Sequence, residues 1–163
     1  MIRHKPYIHS FPPIAAPDAT LLILGSMPGK ASLLANQYYA HPRNAFWPIM
    51  GELFGAGPDL PYARRVRVLE HVGVAVWDVL ASCTRGGSLD SDIDEASIVA
   101  NDFASFFRAH PRIERVFFNG AKAEAAFRRH VLPRLAATTL RFERLPSSSP
   151  AHASWSHARK LRA

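Results

Sequence analysis

The stretch Leu21-Leu22-Ile23-Leu24-Gly25-Ser26-Met27-Pro28-Gly29 decides the fold of this chain. It begins with four apolar residues, and the glycines and the proline that follow end this run abruptly. A short apolar run bounded by turn residues is typical of a strand that is buried on both faces of a parallel sheet. The sequence therefore predicts a strand from Leu21 to Ser26 that ends in a rigid loop.

Other apolar runs alternate with segments of helical periodicity along the chain. Strands are predicted over residues 73–80, 113–118 and 138–145, helices over 45–54, 62–71, 95–110 and 121–135, a polar loop over 83–94 and a last helix over 154–163. Helices between consecutive strands imply right-handed crossovers and a parallel sheet covered on both faces. The predicted fold class is α/β, a three-layer α/β/α arrangement around a central parallel four-stranded sheet.

Length and composition predict a single domain. The chain has 163 residues, of which 48% are hydrophobic, and this supplies enough apolar surface for one continuous core. The first twenty residues contain four of the thirteen prolines, which exclude a helix or a central strand there. We therefore expect one domain over residues 1–163, with residues 1–20 as an extended lead-in.

The net charge and the number of cysteines limit the classes of function that fit this sequence. Twenty basic residues against thirteen acidic ones give a formal net charge of +7, which suits a polyanionic partner but also occurs in domains that never bind nucleic acid. The single Cys83 excludes an internal disulfide and a four-cysteine iron–sulfur or zinc site within one chain. The histidines show no metal-ligand spacing, so we predict no metal and no cofactor.

The chain shows no apolar window that approaches the roughly 18 to 20 residues of a membrane span. Its first residues also lack the apolar run of a secretory signal. We therefore expect a soluble, cytoplasmic protein, and a monomer.

The candidate site residues gather at one edge of the predicted sheet. Ligands of open parallel sheets bind beyond the carboxyl ends of the strands. Those ends are predicted to carry Gly25-Ser26-Met27, Trp77-Asp78, Asn119-Gly120 and Pro146-Ser147-Ser148-Ser149. The first loop lacks the spacing of a nucleotide-binding P-loop and of a nucleophile elbow, which excludes a Walker-type ATPase and a serine hydrolase of that kind.

The segment from Tyr38 to Trp47 concentrates polar and aromatic residues. Tyr38 and Tyr39 offer aromatic faces on which a nucleobase stacks, an interaction worth about 1–3 kcal/mol per base. Phe46 and Trp47 fall inside the following helix and are predicted core residues. Asn44 has two interpretations: it caps that helix only, or its amide also orients a water toward a sugar carbon.

The residues at three other strand ends also have two interpretations each. Asn119 is either a base-reading amide or a turn residue before Gly120, and Asp78 either faces the site or holds a loop. The serine run is either a grip on the phosphates around one nucleotide or an ordinary rigid loop between prolines. These residue types alone do not choose between the interpretations.

Two motifs in this order resemble the uracil-DNA glycosylase superfamily over nearly the full chain. The loop Gly25-Ser26-Met27-Pro28-Gly29 and the block Tyr39-Ala40-His41-Pro42-Arg43-Asn44-Ala45-Phe46-Trp47 are similar to the mismatch-specific uracil/thymine-DNA glycosylases. Leu145-Pro146-Ser147-Ser148-Ser149 resembles their second, DNA-intercalating motif. The resemblance implies a uracil-DNA glycosylase-like fold and double-stranded DNA with a deaminated or mismatched base as the partner.

The first loop departs from the superfamily at Met27, where most members carry an acid or an amide that activates water. In this respect the chain resembles the hypoxanthine-DNA glycosylase branch, in which an asparagine outside the first loop is catalytic. The resemblance implies Asn44 as the catalytic residue and assigns base binding to Ser26, Met27, Tyr39 and Asn119. It assigns DNA backbone contact and intercalation to Ser147, Ser148, Ser149, Pro150 and His152, with His41 and Asp78 as accessory residues.

The mechanism that the resemblance implies is hydrolysis of the N-glycosidic bond of a flipped base, in base excision repair. Hypoxanthine is the favoured base, with uracil or xanthine as further substrates, and no lyase step is expected. Two other classes stay open: a DNA-binding protein that has lost hydrolysis, and an enzyme that acts on small nucleosides. The net charge argues against the last class, because a neutral nucleoside needs no basic surface.

Overall fold

The computed structural model of the protein describes residues 7–86, 93–135 and 139–148. The strands in this part are β1 (Tyr7–His9), β2 (Leu21–Gly25), β3 (Val74–Asp78), β4 (Leu80–Thr84), β5 (Val99–Ala100), β6 (Arg115–Asn119) and β7 (Arg141–Leu145). The helices are α1 (Lys30–Ala35), α2 (Phe46–Phe54), α3 (Tyr62–His71), α4 (Phe103–Ala109) and α5 (Ala121–His130). The last helix predicted over 154–163 lies outside the described residues, as does part of the loop predicted over 83–94.

The central sheet has four parallel strands in the order β3-β2-β6-β7. The apolar run of β2 lies between β3 and β6, where four of its five residues are buried. A strand between two neighbours buries both of its faces when helices cover the sheet, and this is the situation that its unbroken apolar sequence predicted. The predicted four-stranded parallel sheet is confirmed.

Helices cover both faces of this sheet. Leu22 and Leu24 of β2 point to the face covered by α4 and α5, whereas Ile23 points to the face covered by α2 and α3. Both faces bury aromatic rings among aliphatic side chains. The α4/α5 face includes Phe103, Phe106, Phe118 and Phe127, and the α2/α3 face includes both predicted core aromatics, Phe46 and Trp47, with Met50 and Leu69. The predicted three-layer α/β/α fold is confirmed.

A second, antiparallel sheet with the order β1-β4-β5 was not predicted. The strand predicted over 73–80 is in fact two strands, because the chain leaves the parallel sheet at Val79. The Val79 and Leu80 amides donate to the carbonyls of Gly25 and Ser26, at 2.8 and 3.1 Å, before β4 begins its own pairing. Residues 73–80 are all buried, so their apolar pattern gave no sign of the break.

The helix predicted over 95–110 was wrong in its first half. Two aspartates each cap a separate turn: Asp94 accepts from the Ala96 amide, and Asp102 accepts from the Ser105 amide, both at 3.1 Å. Between the two caps, β5 pairs with β4. From Phe103 onward, the apolar side chains of α4 form the predicted helical face.

Smaller differences concern the ends of elements and one missed helix. The helix α1 was not predicted, because its six residues carry no apolar periodicity. The helix α5 ends at His130 rather than near Leu135, since Pro133 lies in a separate 3₁₀ turn, Leu132–Arg134. The helix α3 has the predicted bounds.

Tyr38 holds the lead-in against the α2/α3 face. Its hydroxyl group donates to the carbonyls of Phe11 at 3.2 Å and Pro12 at 2.8 Å, and only 3% of the residue is exposed. Burial, with a smaller effect from Asp78, raises the pKa of the Tyr38 phenol, which therefore stays protonated and keeps donating. The expectation that Tyr38 offers a stacking face to a base was wrong, because its ring is buried in the core.

We predict that Tyr38→Phe lowers the free energy of unfolding by about 1–2 kcal/mol, since the buried Tyr38 position loses its hydrogen bonds to the Phe11 and Pro12 carbonyls. Tyr7→Phe is the matched control: its hydroxyl pairs with Ser82 but the residue is 56% exposed, so water replaces the lost bond at little cost. Urea unfolding of both variants measures the difference. Equal losses in the two variants would contradict this role of Tyr38.

Candidate active site

The carboxyl ends of the parallel strands bring three candidate residues into one row. Gly25 pairs with Asp78, and Leu24 pairs with Phe118, so Asp78, Gly25 and Asn119 follow one another across the sheet. Alternation along the strands directs the side chains of Asp78 and Asn119 to the α2/α3 face. At the usual strand spacing, these two residues stand about 10 Å apart, on either side of Gly25.

Gly25 is the point where two polar side chains approach the backbone. A Cβ atom at this position would lie 2.5 Å from Asp78 Oδ1 and 3.0 Å from the Tyr39 hydroxyl oxygen. Glycine is therefore required here by space rather than by its backbone angles. Asp78 is only 3% exposed, so its carboxylate belongs to the buried base of the site and not to a surface loop.

Tyr39 stands over this point in a constrained conformation. Its φ of 53° lies in the left-handed region that non-glycine residues rarely adopt. One face of its ring stacks on Phe46, with ring centroids 4.0 Å apart and planes 26° from parallel. A base can therefore stack only on the opposite face of the Tyr39 ring.

The serine loop is fastened to both neighbouring segments through Ser148. The Asn119 amide donates from Nδ2 to Ser148 Oγ and accepts from the Ser148 amide at Oδ1, each at 2.8 Å. The Ser148 carbonyl accepts from the Ala45 amide at 2.9 Å. Ser148 thus joins the end of β6 to the segment before α2, and Asn119 has a clear structural task besides any contact with a base.

Gly120 makes room for the same loop. It has a φ of 96°, and a Cβ atom there would lie 3.0 Å from Ser147 Cβ. The backbone turn after β6 therefore places Ser147 directly against the strand end. Ser149, Pro150 and His152, the other residues predicted to contact the DNA backbone, lie outside the described residues.

Asn44 lies in the segment that Ser148 holds. Its Oδ1 accepts from the Phe46 amide, the first amide of α2, at 2.9 Å. The prediction that Asn44 is the N-cap was wrong by one residue, because α2 begins at Phe46 and its N-cap is Ala45. The bond to the Phe46 amide fixes the orientation of the side chain and uses one of the two lone pairs on Oδ1. Just before it, His41 accepts from the Arg43 amide through Nδ1 at 3.1 Å, which shapes the turn.

The first loop is less exposed than its sequence suggested. Ser26 and Met27 are each 7% exposed, and the Met27 side chain belongs to the core on the α4/α5 face. That face is opposite to the row of candidate residues. The prediction that Met27 contacts a base therefore remains only for its backbone amide.

Arg85 supports this loop and was missed in the sequence. It lies directly after β4, is 3% exposed, and donates from a terminal guanidinium nitrogen to the Pro28 carbonyl at 2.6 Å. Arginine is rarely buried, so nothing in the local sequence distinguishes Arg85 from the exposed arginines. The contact depends on the chain leaving the parallel sheet before β4, which the sequence did not predict.

Neither a metal cluster nor a membrane helix occurs in the part of the chain that the structure describes. There, no group of three or more His, Cys, Asp or Glu side chains is placed to hold a metal ion. No helix within the same residues has the length and apolar character to cross a bilayer.

Comparison with known proteins decides the family. The model of the uracil DNA glycosylase superfamily matches residues 12–163. The chain belongs to the uracil DNA glycosylase superfamily. It is a DNA glycosylase, a hydrolase of N-glycosyl bonds, and its substrate is DNA.

Relatives of this glycosylase agree in sequence and in fold. A hypoxanthine DNA glycosylase of Methanosarcina acetivorans is 34% identical over 151 residues, covering 92% of this chain and 91% of the relative. A hypoxanthine DNA glycosylase of Methanosarcina barkeri is 35% identical over 114 residues, covering 69% and 71%. The solution NMR structure of a candidate uracil DNA glycosylase from Methanosarcina acetivorans superposes with a TM-score of 0.77 at 31% identity, covering 96% and 94%.

We predict that Gly25→Ala lowers glycosylase kcat/KM by at least about tenfold and stability by about 1–3 kcal/mol, since the new methyl group displaces the Asp78 carboxylate and the Tyr39 hydroxyl. Gly29→Ala, in the same loop, is the matched control, because nothing lies within 4 Å of a Cβ there. Single-turnover assays and thermal unfolding measure both effects. A fully active Gly25→Ala protein would show that the crowding over Gly25 has no role.

The Asn119–Ser148 contact predicts a coupling between two substitutions. In a double-mutant cycle of Asn119→Ala and Ser148→Ala, the unfolding free energies should show a coupling of about 0.5–1.5 kcal/mol, because both side chains are needed for the Nδ2–Oγ bond. Asn119→Ala combined with Tyr7→Phe, in the antiparallel sheet, should be additive. Additivity in the first cycle would mean that this hydrogen bond contributes nothing.

Proposed function

We propose that this DNA glycosylase removes hypoxanthine from duplex DNA, with uracil and xanthine as weaker substrates. The proposal is supported by the two relatives at 34% and 35% identity, each described as a hypoxanthine DNA glycosylase. It is supported also by the burial of Met27, which leaves the first loop without a polar side chain at the position that activates water in most of the superfamily. Another residue must then hold the attacking water.

Asn44 is the residue that we assign to this task, and the observation that carries the assignment is its hydrogen bond with the Phe46 amide. That bond holds the amide in one orientation and leaves the second lone pair of Oδ1 to accept a hydrogen bond from a water molecule. An amide is a poor base at neutral pH, so Asn44 positions the water and does not deprotonate it. Positioning is a sufficient task where the sugar develops oxocarbenium character before the water attacks.

The rest of the site serves the flipped base. The base stacks on the face of Tyr39 opposite Phe46, and the backbone amides of Ser26 and Met27 stabilise the negative charge that develops on the departing base. Asn119, which already holds Ser148, offers its second Nδ2 hydrogen and the second lone pair of Oδ1 to the edge of the base. Extrusion costs least for a mismatched base, which adds to the selectivity.

The DNA backbone is gripped from the serine loop. Ser147 and the clamped Ser148 supply hydroxyl and amide groups without charge, which suits phosphates on either side of one nucleotide. Ser149, Pro150 and His152, which follow in the sequence and lie outside the described residues, are proposed as further contacts to the duplex. The net charge of +7 supports a phosphate-dominated encounter that weakens with added salt.

The decisive variants are Asn44→Ser and Asn44→Ala. A serine side chain accepts from backbone amides at the start of a helix as an asparagine does but lacks the amide group, whereas alanine loses both functions. We expect both variants to lose roughly 10²-fold to 10³-fold in the single-turnover rate, by analogy with removal of one positioned polar group at a transition state. Only Asn44→Ala should also lose stability, by about 1 kcal/mol.

The assay uses duplexes that carry one hypoxanthine, uracil, xanthine or mismatched thymine, followed by alkaline cleavage of the abasic product. The parental protein should act fastest on hypoxanthine. Parental rates in Asn44→Ser would remove the catalytic assignment. Tight binding of the hypoxanthine duplex without any abasic product would favour a DNA-binding protein, and turnover of free deoxyinosine would favour a nucleoside enzyme.

A further inference from the structure

Leu34 is the most exposed of the large hydrophobic side chains in the described part of the chain. Its exposed fraction is 83%, whereas Tyr7, Leu53, Val72 and Val99, the other exposed members of this class, lie between 42% and 56%. A single exposed leucine is ordinary on a protein surface, so exposure alone does not indicate a function. The position of Leu34 in the fold does indicate one.

Leu34 is displayed on α1, the helix that follows the first loop directly. The Leu33 amide donates to the Gly29 carbonyl at 3.0 Å, and Ser32 Oγ accepts from the Ala40 amide at 3.1 Å. The first bond ties the helix to the loop, and the second ties it to the segment that carries Tyr39. The leucine is therefore held at the same end of the sheet as the candidate active site.

The backbone around Leu34 is fixed rather than loose. Asn36 and Tyr39 have φ angles of 54° and 53°, and they are the non-glycine residues with positive φ in the described ranges. Residues in this region persist only where their surroundings determine the conformation. The short helix thus presents its leucine on a rigid support, which lowers the entropic cost of inserting the side chain into a partner.

The charge pattern of this surface suits nucleic acid. Residues 19–51 contain no aspartate or glutamate, and their exposed cationic side chains are Lys30, the first residue of α1, and Arg43, in the segment that follows Tyr39. A DNA strand that enters the active site meets this segment without repulsion from carboxylates. An apolar side chain in such surroundings fits a base stack better than it fits the charged surface of another protein.

We propose that Leu34 is an apolar wedge that enters the base stack of the duplex next to the flipped nucleotide, from the side of the first loop. This inference rests on the proposed function for the identity of the partner, a duplex with one extruded base. Architectural and base-flipping proteins use such side chains to stabilise unstacked steps. Leu34 and the serine loop would then contact the duplex from two separate segments of the chain.

The test measures binding and unstacking without catalysis. The probe is a duplex with a tetrahydrofuran abasic analogue and a 2-aminopurine beside it, whose fluorescence rises on unstacking. We expect Leu34→Ala to bind it roughly 10-fold to 100-fold more weakly, the range for loss of one buried leucine side chain, and to lose most of the fluorescence rise. Leu34→Met should retain both, and Leu53→Ala, on the far end of α2, should match the parental protein.

Parental affinity and fluorescence in Leu34→Ala would overturn the proposal. A change in sedimentation with unchanged DNA binding would overturn it as well, because Leu34 would then belong to a contact between protein molecules. The probe carries no base to excise, so a protein that fails to prefer hypoxanthine can still pass this test. Failure of the wedge and failure of the proposed function are therefore separate results.

Discussion

The hydrogen bonds around Ser148 are the constraint on which the site depends. Asn119 engages both the amide and the hydroxyl of Ser148, and the Ser148 carbonyl holds the Ala45 amide. These contacts join the serine loop to the end of β6 and to the segment before α2, and they contribute no charge. They also bring the serine loop to the residue next to Asn44. The same hydrogen bonds therefore position both the proposed DNA-backbone contacts and the amide proposed to bind water.

The site combines structural and chemical tasks in the same residues. Asn44 accepts from the first amide of α2, Asn119 anchors Ser148, and Tyr39 packs on Phe46 in a strained conformation. Each side chain is thereby oriented before DNA arrives, which reduces the reorganisation needed during reaction. This division of tasks also explains why Met27 can be apolar. Its side chain completes the core of the α4/α5 face, while the polar group proposed to hold the attacking water belongs to the segment that contains Asn44.

The sequence predicted features that follow from local pattern. The apolar run of β2 and its glycine-rich end indicated a buried strand, and topology then placed Asp78, Asn119 and the serines at one edge. The break at Val79 was not predictable, because a stretch that is buried throughout shows no alternation of apolar and polar residues that would mark the end of a strand. The burial of Arg85 was not predictable either, because no local sequence pattern distinguishes a buried arginine from an exposed one. The split of the predicted helix depended on Asp94 and Asp102 acting as caps, which compete with helix continuation only in the folded context.

The central claim is that the Asn44 amide holds the water that attacks the sugar. A crystal structure with a duplex that contains 2′-fluorinated deoxyinosine, which resists cleavage, tests this most directly. The account predicts a water within hydrogen-bond distance of Asn44 Oδ1 and in line with C1′ of the flipped nucleotide, while the bond to the Phe46 amide stays in place. A flipped nucleotide whose C1′ is approached by a water bound elsewhere, with Asn44 Oδ1 bonded only to the Phe46 amide, would contradict it.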